Sequence, residues 1–551
     1  MLLLRFLLNT ATTRAFRVVA LTTIAALSAI FLIAIVNNAA ERVAFGGVIA
    51  LRSMLLFTSA LVVYYLALQS ALMEANEAAQ VQLATLTQEI SRKISAANLR
   101  KIEKIGLVKI YDIVAQESNN LSQNFPLIIS AGQGVITLGF CLLYVAYLSL
   151  VTFLFILGAT IIALVIFVIL RKQLKKELVG VHAHELALLD RVNDYIDGFS
   201  EIRLNADKND DLQRDFESLT FDLENKVTGV GRKWVHVIQF SDAYLYLLVG
   251  GVVFLIPYLL SRDSYNVYQL SVLAVFCVGP VTAITSVAPL YERASLSLTN
   301  ILKLRSDLDD VASSIQQNDV VDLSKFKKIA LSNISFSYEK KVDEAFKVGP
   351  VDLEVSRGEL IFMIGSNGSG KSTLAKIACG LYLPEEGTVK VDDVEIGENH
   401  QQSYRELFSS VFSDFHLFTS PYGYENADSN RVSQLISYMG IEDKVHFENG
   451  RFSTLQLSLG QRKRLALIAA LLEDKPVLVL DEWGADQDPE FRDRFYTEIL
   501  PELKAKGQTI IVLTHDDRYW HLSDRIIAVD FGKIIDGPNT SSVTGGFRAP
   551  D

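Results

Sequence analysis

The sequence predicts a membrane all-α bundle of six spans joined to a C-terminal α/β P-loop domain. Three observations carry that reading. Apolar residues crowd roughly the first half of the chain, a glycine loop follows the apolar strand Leu360 to Ile364, and a second apolar strand ends in the adjacent carboxylates Asp481 and Glu482. At 551 residues the chain is too long for one compact domain. Its 50% hydrophobic content and mean hydropathy of +0.26 are high for a water-soluble protein. The net charge of -11 disfavours a nucleic-acid partner, which would need a basic face to neutralise phosphates. Cys141, Cys277 and Cys379 show no CxxC spacing and no neighbouring His cluster, and two lie in apolar runs, so they read as small buried residues.

Six stretches are long enough to cross a hydrocarbon core, which takes about 20 apolar residues of helix. They run near Val18 to Val36, Gly47 to Leu72, Leu127 to Leu148, Ser149 to Leu170, Val237 to Leu260 and Val267 to Leu290. The first is read as a span and not a signal peptide, because no small-residue cleavage site follows and another apolar run comes soon after. Arg5, Arg14 and Arg17 precede the first span, and Arg171, Lys172, Lys175 and Lys176 follow the fourth, which places both ends in the cytoplasm. The segments Met73 to Pro126 and Arg171 to His236 then fall on the cytoplasmic side. Their apolar residues recur at helical spacing, as in Leu83, Leu86, Ile90 and Ile94, so membrane helices are expected to continue beyond the bilayer. The loops Asn37 to Phe45 and Ser261 to Asn266 fall outside.

Polar side chains within a span are costly in lipid and mark candidate substrate contacts. Gln133, Gln239 and Asp242 are the candidates, with Tyr244 and Tyr246 nearby. Asp242 also has a plain reading as a hydrated group near the cytoplasmic end of its span. Arg52 is expected to snorkel to the outer headgroups.

From Ser306 to Lys327 the chain turns polar, a linker pattern that divides a transmembrane domain (1-305) from a soluble one (328-551). Gly365-Ser366-Asn367-Gly368-Ser369-Gly370-Lys371-Ser372, followed by Thr373, fits G-x-x-x-x-G-K-[ST] between a strand and a helical pattern. Glycines permit the turn in which backbone N–H groups surround phosphate oxygens, Lys371 adds positive charge, and the Ser372 hydroxyl can ligate Mg2+. Val477 to Leu480 is fit for a buried parallel strand and ends in Asp481 and Glu482. Carboxylates there need a cation or partner, so Asp481 is assigned to the Mg2+ shell and Glu482 to the base that polarises the attacking water. Thr509 to Thr514 delivers His515 toward the γ-phosphate.

Leu457-Ser458-Leu459-Gly460-Gln461 resembles the LSGGQ signature of ABC ATPases and lies, as there, between the phosphate loop and the Asp481-Glu482 strand. With six spans before it, the whole chain resembles a type IV ABC exporter half-transporter. That resemblance implies two chains paired as a homodimer, with ATP and Mg2+ held between one chain's phosphate loop and the other's Ser458, Gly460 and Gln461. It further implies adenine stacking by Tyr338 and a D-loop role for Asp488. Coupling helices that touch the ATPase domains are expected around Ala115 to Gln123 and Ile196 to Lys208.

Three departures refine the match. Ser413 stands where most ABC proteins carry the Q-loop glutamine, Leu459 replaces the first signature glycine, and Trp483-Gly484-Ala485-Asp486-Gln487-Asp488-Pro489 replaces the usual small-residue turn. With the run Gln461-Arg462-Lys463-Arg464-Leu465, this combination is similar to the cyclic-peptide and siderophore-peptide export branch, associated with syringomycin-like lipopeptides and pyoverdine precursors. It implies export of a peptide-like substrate across the inner membrane of a Gram-negative bacterium, with the ATPase domain in the cytoplasm. Ser413 is kept as a candidate for the Mg2+ shell, but a serine hydroxyl reaches less far than a glutamine amide, so Ser413 or Asp414 is expected to act there through water. A lipid flippase or multidrug exporter would share every catalytic motif, whereas an ATP-gated channel fits less well with an intact Glu482 and His515.

Overall fold

A computed structural model describes residues 12-44, 46, 48, 50-260, 267-312, 321-338, 346-423 and 427-535. Arg5, Gly47 and the loop Ser261 to Asn266 lie outside these residues, as do the side chains of Arg171, Lys172, Lys175 and Lys176. The chain divides into two bodies, Met1–Lys93 with Gly106–Asp307, and Ile94–Ile105 with Leu308–Asp551.

The first body is helical. It comprises α1 (Thr12–Ala44), α2 (Leu51–Ala96, whose end passes to the second body), α4 (Leu107–Leu148), α5 (Leu150–Asp197), α6 (Phe199–Leu204), α7 (Ala206–Gly250, continued by a π turn Gly251–Leu255 and a helical turn Ile256–Leu260), α8 (Val267–Phe276) and α9 (Val278–Ala312, whose end from Leu308 also passes to the second body), with α3 (Leu99–Ile105) set in the second body. Six helices among the described residues are long and apolar enough to cross a membrane. They also outrun it. At 1.5 Å per residue the 46 residues of α2 extend about 69 Å, against about 30 Å of hydrocarbon. Helical spacing in the stretches between the spans therefore does continue the membrane helices.

Side-chain size sets which faces pack. Ala60, Ala67, Ala71, Ala75, Ala78 and Ala79 are buried along α2, a small-residue face that lets a neighbouring backbone approach. On α5, Ile161, Ile162, Leu164, Val165, Val168 and Ile169 stay exposed, as a lipid-facing surface must be. All three cysteines are buried and free, with the Sγ atoms of Cys141 and Cys277 3.0 Å apart.

The second body carries a six-stranded sheet, in the order β12-β11-β3-β10-β9-β6, and a four-stranded antiparallel one, β2-β1-β4-β5. In chain order the strands are β1 (Lys328–Ser337), β2 (Lys347–Ser356), β3 (Leu360–Ile364), β4 (Glu386–Val391), β5 (Val394–Glu395), β6 (Phe408–Val411), β7 (Phe447–Glu448), β8 (Arg451–Phe452), β9 (Val477–Asp481), β10 (Thr509–Leu513), β11 (Arg525–Asp530) and β12 (Lys533–Ile535). The helices are α10 (Lys371–Ala378), α11 (Gln401–Arg405), α12 (Ser429–Tyr438), α13 (Leu459–Leu472), α14 (Pro489–Arg494) and α15 (Leu500–Ala505). Adjacent strands β3, β10 and β9 run parallel and every residue in them is buried, as expected of central strands covered on both faces. Their carboxyl ends are where such sheets present ligand-binding loops.

Two expectations need correcting. The stretch read as linker is partly structured: α9 runs on to Ala312, and Leu323 and Phe326 are buried in the core of the second body. Ala115 to Gln123 is no separate coupling helix, because it continues from a π turn (Asp112–Glu117) straight into the membrane helix α4. The short docked helix is α3. Arg100 donates to the Ser337 carbonyl at 2.8 Å and pairs with Glu385 at 3.1 Å, and the Tyr382 hydroxyl donates to the Glu103 carboxylate at 2.9 Å. Around the second expected position, α6 covers Phe199–Leu204 as a short helix of its own.

Candidate active site

The loop after β3 can turn only because of its glycines. Gly365, Gly368 and Gly370 adopt φ of 151°, 78° and 102°, and a Cβ on Gly365 would stand 2.1 Å from the Val529 carbonyl oxygen. Gly370 opens α10, so unpaired N–H groups of its first turn face the loop. Lys371 folds back and donates from Nζ to the carbonyls of Gly365 and Ser366, both at 2.9 Å. Burial holds its ammonium below the usual lysine range, against the pull of Glu482 and Asp481. Ser369 is buried, and among the described residues its Oγ has no hydrogen-bond partner. Ser366 and Asn367 are exposed at the tip. Tyr338 stands beside the loop, its hydroxyl 3.0 Å from Thr373 Oγ1.

Two strands away, β9 buries Asp481 at its end. Among the described residues, neither carboxylate oxygen has a donor in good hydrogen-bond geometry. Burial raises its carboxyl above the usual range; Ser372 pulls it back, Glu482 adds to the rise, and the Ser413 hydroxyl and N–H lower it again. A buried acid left thus, with two hydroxyls beside it, fits a hard cation. Ser372 and Ser413 are thus brought beside Asp481.

Glu482 follows in the left-handed region at φ 49°, where a residue with a Cβ is strained. Its N–H donates to the Leu513 carbonyl, and its Oε1 lies 3.2 Å from His515 Nε2, delivered by β10. Sequence pattern found both residues. It did not find what holds them. Lys463, buried on α13, donates to the Glu482 carbonyl at 2.6 Å and pairs with Asp486 at 2.5 Å, and fully buried Trp483 donates back to the Lys463 carbonyl at 2.9 Å.

The signature is clamped to the same turn. Ser458 caps α13: its N–H donates to Gln461 Oε1 at 3.1 Å, and its Oγ accepts the Gln461 N–H at 3.4 Å. A Cβ on Gly460 would lie 2.6 Å from the Asp486 carbonyl oxygen, so only glycine permits this approach. Gln487 donates to the Gly460 carbonyl at 3.1 Å, and Arg464 bonds both Gln487 and Asp488, at 2.8 and 2.6 Å. Asp488 caps α14 through the Phe491 N–H, and that bond, followed by Arg464, lowers its carboxyl below the usual range. Leu459, in place of a glycine, projects into solvent.

The membrane candidates are not brought together in the same way. Gln133 is half-buried on α4, and Gln239 and Asp242 are exposed on α7.

Comparison with known proteins decides the family. The ABC transporter family profile matches residues 348-485. The ATP-binding protein SyrD of Pseudomonas syringae pv. syringae is 32% identical over 464 residues, covering 81% of each chain. This chain belongs to the ABC transporter family. An ATP-dependent lipid A-core flippase of Vibrio parahaemolyticus is 26% identical, covering 59% of this chain and 58% of the flippase. A bacterial Atm1-family ABC exporter with ATP bound superposes with a TM-score of 0.75 at 18% identity, over 95% of this chain and 94% of that one, which shows a shared fold. The ABC protein described here is thus a multi-pass half-transporter of exporter fold that couples ATP hydrolysis to transport.

Proposed function

We propose that this ABC half-transporter works as a homodimer in the inner membrane of a Gram-negative bacterium, exporting a peptide-like compound such as a cyclic peptide, lipopeptide or siderophore precursor. Residues 1-305 would form the pathway and 328-551 the motor. The supporting observation is similarity across 81% of the chain to the SyrD protein, together with the polar turn Trp483 to Asp488 and Ser413 in its ATPase core. The lipid A-core flippases support a second reading, lipid export, through a shorter match.

In the proposed mechanism Tyr338 stacks on adenine, and the N–H groups from Gly365 to Thr373 surround the phosphates. Lys371 leaves its carbonyl partners for phosphate oxygens. Ser372, Asp481 and Ser413 would hold Mg2+, and a bound ion there would offset the phosphates' negative charge. Glu482 takes a proton from the attacking water while His515 orients it. Ser458, Gly460 and Gln461 of the second chain close over the nucleotide, with Asp488 at the junction. Dimer closure then turns the membrane cavity outward. Proteoliposomes test the substrate class. Stimulation of the ATPase by a cyclic lipopeptide, and its ATP-dependent uptake into inside-out vesicles, is expected; stimulation by lipid A alone would replace the peptide reading with the lipid one.

A further inference from the structure

The helical body holds a second polar site that the ATP chemistry does not use. It begins in the π turn Asp112–Glu117 of α4. Asp112 and Glu117, the first and last residues of that turn, are both buried. They border a cavity of about 140 Å³ together with His182 and Glu185 from α5 and Ser297 and Asn300 from α9. The apolar stretch of α4 begins only at Leu127 and that of α5 ends near Leu170, so the site sits in the cytoplasmic extensions of these helices.

Its geometry is that of a partly assembled ligand set. Asp112, Glu117 and His182 each offer one donor atom, and these lie within 4.8 Å of one another. His182 Nε2 is 3.6 Å from Glu117 Oε1, and its other nitrogen, Nδ1, is 3.6 Å from Glu185 Oε2. A carboxylate behind the far nitrogen is the usual way to fix a metal-binding imidazole, because it sets which nitrogen carries the proton. Glu117 is fixed in turn by the Ser297 hydroxyl and by Asn300 Nδ2 at 2.7 Å.

Asp112 is the group that demands a ligand. Its side chain borders the cavity in a residue only 6% exposed, and among the described residues no hydrogen bond or ion pair reaches it. An isolated carboxylate in such a place is costly unless a cation meets it. The charge count agrees. Three carboxylates, Asp112, Glu117 and Glu185, face the guanidinium of Arg293, 3.5 Å from Glu185, and an imidazole. A divalent ion would offset the excess.

We propose that Asp112, Glu117 and His182 bind one divalent transition-metal cation of the Zn2+ type, tying α4 to α5 on the cytoplasmic side. The nitrogen donor selects against Mg2+ and Ca2+, which take oxygen ligands. Three protein ligands with a water completing the set is a familiar Zn2+ arrangement, and nitrogen and oxygen donors then close to about 2.0–2.2 Å.

The test uses the full chain in lipid nanodiscs, purified without a polyhistidine tag, stripped by chelator and free of nucleotide. Titrated with ZnCl2, it should retain one Zn2+ per chain in the presence of millimolar Mg2+, with a higher melting temperature. Asp112→Asn and His182→Gln, close in shape to the originals, should each lose that ion and the thermal shift. Glu185→Gln should weaken binding about 10-fold or more, as loss of a supporting carboxylate does. X-ray absorption of the parent should report one nitrogen and two protein oxygens at about 2.0–2.2 Å, a readout that stands even if a variant folds poorly. Equal Zn2+ retention by the parent and both variants overturns the proposal. So does a parent that retains no Zn2+ yet shifts its melting with pH, which would make Asp112 a protonated acid instead.

Discussion

Lys463 Nζ donates to the backbone carbonyl of Glu482 at 2.6 Å, joining the helix that follows the signature to the residue proposed as the catalytic base. The lysine's side chain is 4% exposed and its charge is met by Asp486. Glu482 is strained at φ 49°, and a strained residue keeps its conformation only when its surroundings fix it. Lys463 and Trp483 supply that fixing, so the basic run in the sequence acts here as a clamp. Lys463→Met should lower kcat for ATP roughly 10- to 100-fold while KM moves less than about 3-fold, since no phosphate contact is removed. Adding Asp486→Leu, which removes the unpaired acid, should recover melting temperature without recovering kcat. A raised KM at parental kcat would rule out the positioning role.

Glu482→Gln keeps the size of the side chain and a hydrogen-bonding partner for His515 at the 3.2 Å contact, but removes the basic oxygen. Nucleotide should still bind. Hydrolysis should fall on the order of 100-fold or more, measured as single-turnover release of phosphate from prebound ATP. Turnover near the parental rate would remove Glu482 from that role.

Asp481 gives a prediction with a sign. Its folded carboxyl is raised above the ordinary value of about 3.9, chiefly by burial, so the native state prefers the protonated form. Its contribution to stability is therefore most favourable below the ordinary value and declines as pH rises through the raised one. Without nucleotide and Mg2+ at neutral pH, Asp481→Asn should raise the melting temperature of the ATPase unit while abolishing Mg2+-dependent hydrolysis, a trade common at functional sites. Melting curves at pH 5 and pH 7.5 check it: the gain should be larger at the higher pH, and a gain independent of pH would count against the buried charge as its cause.

The docked helix α3 invites a separation of hydrolysis from transport. Arg100 lies 4.9 Å over the Phe336 ring, which stacks on Tyr382 at 5.0 Å and meets Tyr338 edge-on at 5.3 Å. The aromatic proposed to hold adenine thus shares a cluster with the helix that joins the second body to the membrane helices. Arg100→Ala combined with Glu103→Gln should reduce transport in vesicles about 10-fold and leave basal ATPase within about 3-fold of the parent. A parallel fall in both would assign α3 a structural role in the ATPase unit.

These residues also show what the sequence could reveal. Apolar runs of strand length bounded by glycine or carboxylate exposed β3 and β9, and with them the loop, Asp481 and Glu482, because burial on both faces leaves a local composition signal. Hydropathy exposed the spans for the same reason. Helix α3 left almost none, since seven residues between long helical stretches change neither period nor hydropathy; Gly106, at φ 88°, was the available mark of a break. Lys463 was visible as part of a basic run, but its burial against Asp486 depends on a turn many residues away. Asp112 and Glu117 lie on α4 and His182 on α5, in no motif, and only packing brings the histidine to the two carboxylates.

The shared nucleotide site is tested through the signature. Ser458 is exposed at the start of α13, where its side chain and that of Gln461 cap the first turn. Ser458→Arg should cost about 1 kcal/mol of local stability through the lost cap and leave the phosphate loop of its own chain untouched. Its effect must then appear in the other chain's site. Homodimers of Ser458→Arg should bind ATP and fail to hydrolyse it, and homodimers of Lys371→Ala should fail through the phosphate loop. In a mixed dimer both lesions fall in one site, while the other pairs an intact Lys371 with an intact Ser458 from the opposite chain. Co-assembly of two inactive proteins should therefore restore measurable ATPase activity if one site can turn over alone. The sharper comparison is the Ser458→Arg homodimer by itself. Hydrolysis there at the parental rate would mean that the signature takes no part in the reaction, and each chain would have to be counted as a complete ATPase.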